Sequence, residues 1–548
     1  MGKITYGIKL AKSSPFAEEI KGRKRKLKQY TQENNEKLAG RVLLDLADLY
    51  LNQAEYIDPE DPTSTQGYYR QQDLEECLNY CKKAIKVFKK KKLYRYLART
   101  YIIMIQCYHK IPDFDNGILI NVQLLDLFRT SKSDLKDNSL YQQAYKLLAD
   151  AYFTHGHSDN RKFKDFKYAE QFYEKERKII LKMTADNVGG DQLLLKDIKR
   201  SSNFNIGVIK SKLSYEIQDI SEPIKYLMDA IEDAKQLKDY DSERKTWWEL
   251  GNLYSGRGKW ELTLDCRLKE LELTKKYQLG DQLAVMIEVA KIYIMMESYS
   301  ACMELCRDMR SWANSIYSNE KKNEDDGYDL QSANDMIQAV VDMVHKMRDQ
   351  RRRFKQLINN YDTIESAKRC NDLDKNNDNN SNNIHGVDHK KLCLQIVEEC
   401  LSLSELFGEL ELAKPALDII DTGLKYCKLI EKQDQMGEDY LLYVLEIELL
   451  ETKANIYMTW FFTSLTMLED LNQQIVENAK KYIKDEIKQM DIMIDAFERF
   501  TQIYYYFDDG DLYEKWMKIT KDTKIRYNSI MMIWILITKM KIIPRKIQ

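Results

Sequence analysis

The sequence predicts an all-α chain, a solenoid of antiparallel helix pairs, and three observations carry that prediction. Prolines and glycines are scarce, 7 and 20 in 548 residues, whereas strand-rich domains need frequent turns. A short pattern of an apolar residue, a small residue and, three positions on, an aromatic returns along the first half. It reads LADLY at 46–50, LADAY at 148–152, LGNLY at 250–254 and VAKIY at 289–293, with MIQCY (104–108) and NIGVIK (205–210) as degenerate relatives. Each copy lies on a helix-period run and is followed by a second amphipathic run, as in YAEQFYEKERKIIL (168–181), PIKYLMDAIEDAKQL (223–237) and WELTLDCRLKELELTKK (260–276).

Taking the small residue or its equivalent as an anchor gives positions 47, 105, 149, 207, 251 and 290, at intervals of 58, 44, 58, 44 and 39. The small residue lets a partner helix approach, and the aromatic three positions on fills the space this leaves. Ala149 with Tyr152, Gly251 with Tyr254, and Ala290 with Tyr293 are the packing pairs, joined by Trp247 and Leu250 at the strongest copy. No pair buries its apolar stripe alone, so pairs stack and each borrows a wall from its neighbour. Trp247, Leu250, Gly251 and Tyr254 match Trp-x2-Leu-Gly-x2-Tyr, so the array resembles the tetratricopeptide repeat. That resemblance implies a right-handed superhelix.

The stretch GRGK (256–259) looks at first like a phosphate loop. Such a loop needs Gly-x4-Gly-Lys-Ser/Thr between a buried strand and a helix. Here a helix precedes it and Trp260 stands where the hydroxyl residue belongs, so it is expected to be the turn of a helix pair.

Five segments follow along the chain. They are a basic N-terminal extension (1–29), an N-terminal array (30–317), a helical connector (318–388) with a loop at 371–383, a C-terminal helical-repeat region (389–524) and an apolar and basic tail (525–548). SNEKKNEDDGYD (318–329) is the polar break after the first array. NDLDKNNDNNSNN (371–383) has the composition of a disordered loop. HSDNRKFKD (157–165) and TADNVGGDQLLLKDIKRSS (184–202) read as polar extensions in connections between helices.

Composition narrows the function classes. A net charge of -2 argues against a globally basic nucleic-acid binder. The 10 cysteines form no CxxC pair, and Cys77, Cys81, Cys302, Cys306, Cys400 and Cys427 fall in helical runs as small apolar residues, as in a reducing compartment. The apolar run IMMIWILI (530–537) is far short of the ~20 residues a membrane span needs. Catalytic motifs are missing and six histidines leave few general acid–base candidates, so the chain is read as non-catalytic, without cofactor or metal. His385, His389 and Cys393 in HGVDHKKLC share a helix face, but Gly386 weakens that helix and a fourth ligand is lacking. Basic runs stand at 21–28, 88–92 and 348–355. In the first, Lys21, Arg23, Lys24, Arg25 and Lys26 form a candidate nuclear import signal. The others read as surface, and neither direct nucleic-acid contact nor membrane association is expected.

The remaining candidate is a peptide groove on the exposed face of the first helix of each pair. It comprises Lys146, Asp150, Phe204, Lys212, Lys245, Trp248, Asn252, Ser255 and Lys291. Positive and amide groups beside aromatics suit an acidic or extended peptide, and Asn252 is expected to pair both backbone groups of the ligand.

From Tyr30 to about Met309 the order of these segments also resembles the N-terminal array of Tonsoku-like proteins. The likeness lies in repeats near 40 residues, an insertion between LADAYF and YAEQFYEKERKI, and the succession NIGVIKSKL, PIKYLMDAIEDAKQL, TWWELGNLYSGRGKWELTLDC and VAKIYIMMESYSACMEL. It implies a nuclear scaffold that binds protein partners in a repair complex at damaged replication forks. Ankyrin and leucine-rich signatures of that family are missing, so histone reading does not carry over. Kinesin light chains and the Partner-of-Inscuteable family also carry such repeats, which leaves a cytoplasmic or cytoskeletal adaptor as the alternative.

Overall fold

The computed structural model describes residues 16–56, 65–131, 137–157, 163–185, 192–213, 219–317, 330–374, 382–433, 440–461, 465–506 and 510–542. All regular structure among them is helical. By packing, the chain forms two compact units, Met1–Lys210 and Ser211–Gln548.

The first unit holds α1 (Ala17–Gln32), α2 (Glu36–Tyr56), α3 (Thr65–Lys90), α4 (Tyr94–Lys110), α5 (Phe114–Thr130), α6 (Asn138–His157), α7 (Phe163–Ala185) and most of α8 (Gln192–Leu213). From α1 to α7 each helix packs against the next in sequence. One apolar core runs from Ile20 through Leu46, Phe88, Ile105 and Leu124 to Ala144. Gly40 marks the tightest approach: a Cβ there would lie 2.8 Å from Val87 Cγ1 and 2.9 Å from Phe88 Cε1.

The second unit continues with α9 (Ser221–Leu237), α10 (Tyr240–Ser255), α11 (Trp260–Tyr277), α12 (Gln282–Met295), α13 (Tyr299–Tyr317), α14 (Leu330–Asp374), α15 (Asn382–Glu409) and α16 (Ala413–Gln433). After α17 (Tyr440–Ile456) a π-helical turn (Tyr457–Phe461) leads to α18 (Leu465–Tyr482), α19 (Glu486–Tyr506) and α20 (Gly510–Ile542). Asp239 and Asp281 cap α10 and α12, accepting from the amides of Ser242 and Ala284, both at 3.1 Å. Asp113 does the same for α5. Each cap satisfies an amide that the first turn leaves without a helical partner.

The turns share one closure. The amide of residue i+5 donates to the carbonyl of residue i in Asn35 to Tyr30, Leu93 to Phe88, Asp113 to Tyr108, Asp239 to Ala234, Lys259 to Tyr254, Leu279 to Thr274, Ser298 to Tyr293 and Leu412 to Phe407. In each, the residue before the donor has positive φ: Asn34, Lys92, Pro112, Lys238, Gly258, Gln278, Glu297 and Glu411. This is the Schellman closure, which satisfies late carbonyls of one helix and reverses the chain. Only Gly258 uses glycine. GRGK is such a turn, lying between α10 and α11.

Several expected borders differ. The connector is a packed element: α14 is a single 45-residue helix. Its Ala333, Ile337, Val344 and Met347 are buried in one core with Leu283, Cys302 and Met309 before it and Leu403 and Phe407 after it. The division between units falls inside α8 instead of the polar stretch 318–329, which lies outside the described residues. α14 extends to Asp374 and α15 starts at Asn382, so only 375–381 of the expected loop 371–383 is left outside the described residues. The extension 184–202 is helical from Gln192, because LLLKDIK supplies a helix-period stripe. Nine described cysteines, the six named above among them, are buried and outside any disulfide. Among the described residues no helix is long and apolar enough to cross a membrane. Residues 1–15 and 543–548 lie outside the described residues.

Candidate functional site

In the second unit, α10 carries Lys245, Trp248, Asn252 and Ser255 at spacings that set them along one helical face. Trp248 is 42% exposed. Its ring is not loose, because the guanidinium of Arg267 on α11 lies 5.7 Å from the ring centroid and is itself 3% exposed. Arg267 donates to the Trp248 carbonyl at 3.1 Å, to Glu270 at 2.9 Å and, in a short bond, to Asn252 Oδ1. Glu270 is buried and also faces Arg244 at 3.6 Å. Burial raises the Glu270 carboxyl against the pull of both arginines. Half-buried Glu249 is raised by burial too, opposed by Lys212, Arg267 and a hydrogen bond from Asn252.

This geometry changes the role expected of Asn252. Its oxygen is committed to Arg267, so it does not present both amide groups to a ligand. Lys245 pairs with Asp241 at 2.6 Å on the surface of its own helix. Lys291 lies between Glu288 at 2.8 Å and Glu411 at 3.4 Å. Burial works against its charge, yet those carboxylates outweigh it and hold the ammonium above its usual range. The exposed aromatic surface of this face is therefore Trp248, and its cations are largely neutralised.

The packing residues take the interior positions. Trp247 and Leu250 are buried, as are Ala149 and Ala290, while Tyr152, Tyr254 and Tyr293 are half-buried. Tyr152 stacks on Phe172 of α7 at 5.8 Å. Lys269 covers Trp247 at 4.4 Å. A Cβ on Gly251 would meet Cys266 Cβ and Arg267 Cζ at 3.4 Å, an ordinary contact, which is why alanine serves at 47, 149 and 290.

Lys146 and Asp150 of the first unit face a polar seam between α6, α7 and α8, and Phe204 on α8 is half-buried. Tyr173 donates to Asp150 at 2.6 Å and Gln142 to Glu176 at 2.6 Å. Burial raises the Asp150 carboxyl, with the Tyr173 bond and Lys146 opposing. Burial pushes Glu176 up to about 7. Glu176 Oε2, Ser202 Oγ and Asn203 Nδ2 are buried without a well-formed hydrogen bond.

Sequence reasoning missed Arg267, Glu270 and Glu176, although a signal existed. On α11 the buried stripe reads Thr263, Cys266, Arg267, Glu270, Leu271 and Thr274. On α7 it reads Ala169, Tyr173, Glu176 and Ile180. A charge at a stripe position is a buried charge.

The basic residues of 21–26 lie in α1. Arg23 bonds Asp45 at 2.8 Å and Lys24 covers the Tyr50 ring at 5.2 Å, while Lys21, Arg25 and Lys26 stay exposed. The side chains of His385 and His389 are outside the described residues, and Cys393 is buried. Among the described residues no group of three or more His, Cys, Asp or Glu is placed to hold a metal ion.

No family model and no curated protein matches the chain. Among solved structures it is similar to the apo form of RapI, with TM-score 0.37 and 9% identity over 75% of this chain and 98% of that one. It is also similar to a signal-transduction ATPase with a tetratricopeptide-repeat sensor from Pyrococcus horikoshii (TM-score 0.29, 12% identity, 88% of this chain). It spans 55% of that protein's length. Yeast Tom70 gives TM-score 0.21 and 12% identity over 93% and 96% of the two chains.

Proposed function

We propose that the chain is a non-catalytic scaffold of stacked helix pairs that binds a protein segment against the α10 face centred on Trp248. The observation supporting this is the mounting of that indole. A half-exposed tryptophan backed by a buried arginine that makes three hydrogen bonds is a rigid apolar surface whose ordering cost is already met by the fold. Tryptophan and arginine in such settings dominate binding energy at protein interfaces. A photo-crosslinking amino acid at position 248 should capture a protein that the same group at exposed Lys275 does not, and Trp248→Ala should lose that partner while melting as the parent does. Identical capture from both positions would refute the reading.

Within it, the role we favour is a nuclear one in repair at stalled replication forks, supported by the resemblance of the N-terminal array. One observation favours the alternative, a cytoplasmic or cytoskeletal adaptor: half-buried Arg23 is held by Asp45, which removes it from an accessible import signal. Affinity purification with and without a replication inhibitor separates the two. Repair proteins enriched under inhibition support the first, and motor or cortical proteins recovered equally in both conditions support the second.

A further inference from the structure

α20 outruns the helix it packs on, α19. Their contacts run from Tyr505–Tyr513 at 5.5 Å and Phe500–Trp516 at 4.3 Å through Thr501–Thr520 at 3.4 Å to Lys524 with Glu498. The two helices are therefore antiparallel. At a rise of about 1.5 Å per residue on each, this register sets the first residue of α19 level with about residue 531 of α20. Arg526 reaches that first residue, Glu486, at 3.0 Å along its extended side chain. α20 continues to Ile542, so its final stretch, on the order of 16 Å, projects past its partner. Met517, Ile525 and Met532 on α20 are 47%, 57% and 65% exposed, and Met532 is the most exposed large apolar side chain among the described residues.

Residues 530–537, IMMIWILI, are apolar without a break. On a helix such a run places apolar positions around the whole circumference for about two turns, a pattern that needs cover on every side. No Asp or Glu follows Asp522, whereas Lys539, Lys541, Arg545 and Lys546 follow the run. We infer that this projecting segment lies in the surface of an anionic lipid bilayer. The run makes about 12 Å of helix against a hydrocarbon core of ~30 Å, which suits lying within one leaflet and rules out spanning. The acyl boundary covers the apolar run, and Trp534 is of the residue type that favours the headgroup level. Anionic headgroups answer the four cations, whose apolar stems let the charges reach them. A second copy of the chain is poorer cover. In a parallel pair the cations meet one another. In an antiparallel pair centred on the run they meet 521–528, where Asp522 is outnumbered by Lys521, Lys524 and Arg526. The shortness of the run was the ground for expecting no membrane association, but a helix lying in the interface needs no span. The inference is independent of the α10 face.

The test is co-sedimentation of the full chain with vesicles of phosphatidylcholine alone and of phosphatidylcholine with about 30 mol % phosphatidylserine, at about 100 mM salt. The chain should bind the anionic vesicles and bind the neutral ones at least about 50-fold more weakly, since each cation near an anionic surface strengthens binding about fivefold. K539Q/K541Q/R545Q/K546Q should lose a similar factor on the anionic vesicles. M532E/I535E should abolish binding to both while melting as the parent does, because the altered stretch projects past α19; M532S/I535S replaces it if it melts early. Absence of binding to anionic vesicles, equal binding to neutral ones, or unchanged binding by M532E/I535E would each overturn the inference. So would a dimer in sedimentation velocity that M532E/I535E breaks while vesicles bind nothing, which assigns the run to a second copy.

Discussion

Replacing Glu176 by glutamine should stabilise the first unit at alkaline pH and do almost nothing at acid pH. Glu176 is 1% exposed and accepts from Gln142, while its second oxygen has no well-formed hydrogen bond, only the Ser202 hydroxyl beside it. Burial raises its carboxyl from an ordinary 4.5 to about 7, against the opposing pull of Gln142 and Lys146. A raised carboxyl holds its proton more firmly in the folded state. The stability it contributes is complete below pH 4.5 and is lost as pH rises through the folded value. At roughly 1.4 kcal/mol per pH unit, the gap corresponds to about 3 kcal/mol of stability forfeited by pH 8. Glutamine keeps the volume and the oxygen that accepts from Gln142, removes the titration, and offers an amide donor toward Ser202. Because two units share the chain, the readout must be local. Hydrogen exchange of α6 and α7 peptides, corrected for intrinsic rates, should show Glu176→Gln more protected by up to that amount at pH 8 and equal to the parent at about pH 4, below the unfolded value. Parallel pH profiles for the two proteins would refute the argument that this carboxyl is held unpaired in the core.

Three further outcomes follow from the packing. Gly251→Ala should change stability by under ~0.5 kcal/mol, whereas Gly40→Ala should cost about 1–3 kcal/mol because its Cβ meets Val87 and Phe88 below 3.0 Å; urea unfolding followed by circular dichroism compares them. Lys238→Gly should stabilise by about 0.5–1 kcal/mol, since Lys238 holds φ 57 and glycine adopts that conformation without a Cβ penalty; the melting temperature reports it. Arg267→Met should cost up to about 3–5 kcal/mol by leaving Glu270 buried with only Arg244 at 3.6 Å, and adding Glu270→Leu should recover most of the loss, which a double-mutant cycle in urea measures.

The turns show how far local signals reach. Eight described hairpins close with the same six-residue hydrogen bond, yet seven of them put Asn, Lys, Pro, Gln or Glu at the positive-φ position. Glycine spacing therefore revealed one turn, the one at Gly258. The others were legible only as interruptions in amphipathic runs, because cooperative closure of two packed helices tolerates a strained residue that an isolated turn would avoid. The glycines tell the same story from the other side. The signature residue Gly251 has room for a methyl group, while Gly40 and Gly423, outside any recognised motif, meet the facing helix at 2.8 Å.

What the sequence determined by itself was the helix-pair architecture and the inward stripe of each pair, because a 3.6-residue period and sparse breakers are properties of neighbouring residues. Ala47, Ala149, Trp247, Leu250 and Ala290 were placed in the interior on that ground alone. The tertiary structure decided what depends on residues brought together from distant positions. It set the partners of Asn252 and Lys291, buried the charges of Arg267, Glu270 and Glu176, and made 330–374 a core helix. Burial and charge pairing are sums over neighbours in space, and a pattern along the chain contains only the neighbours one or two turns away.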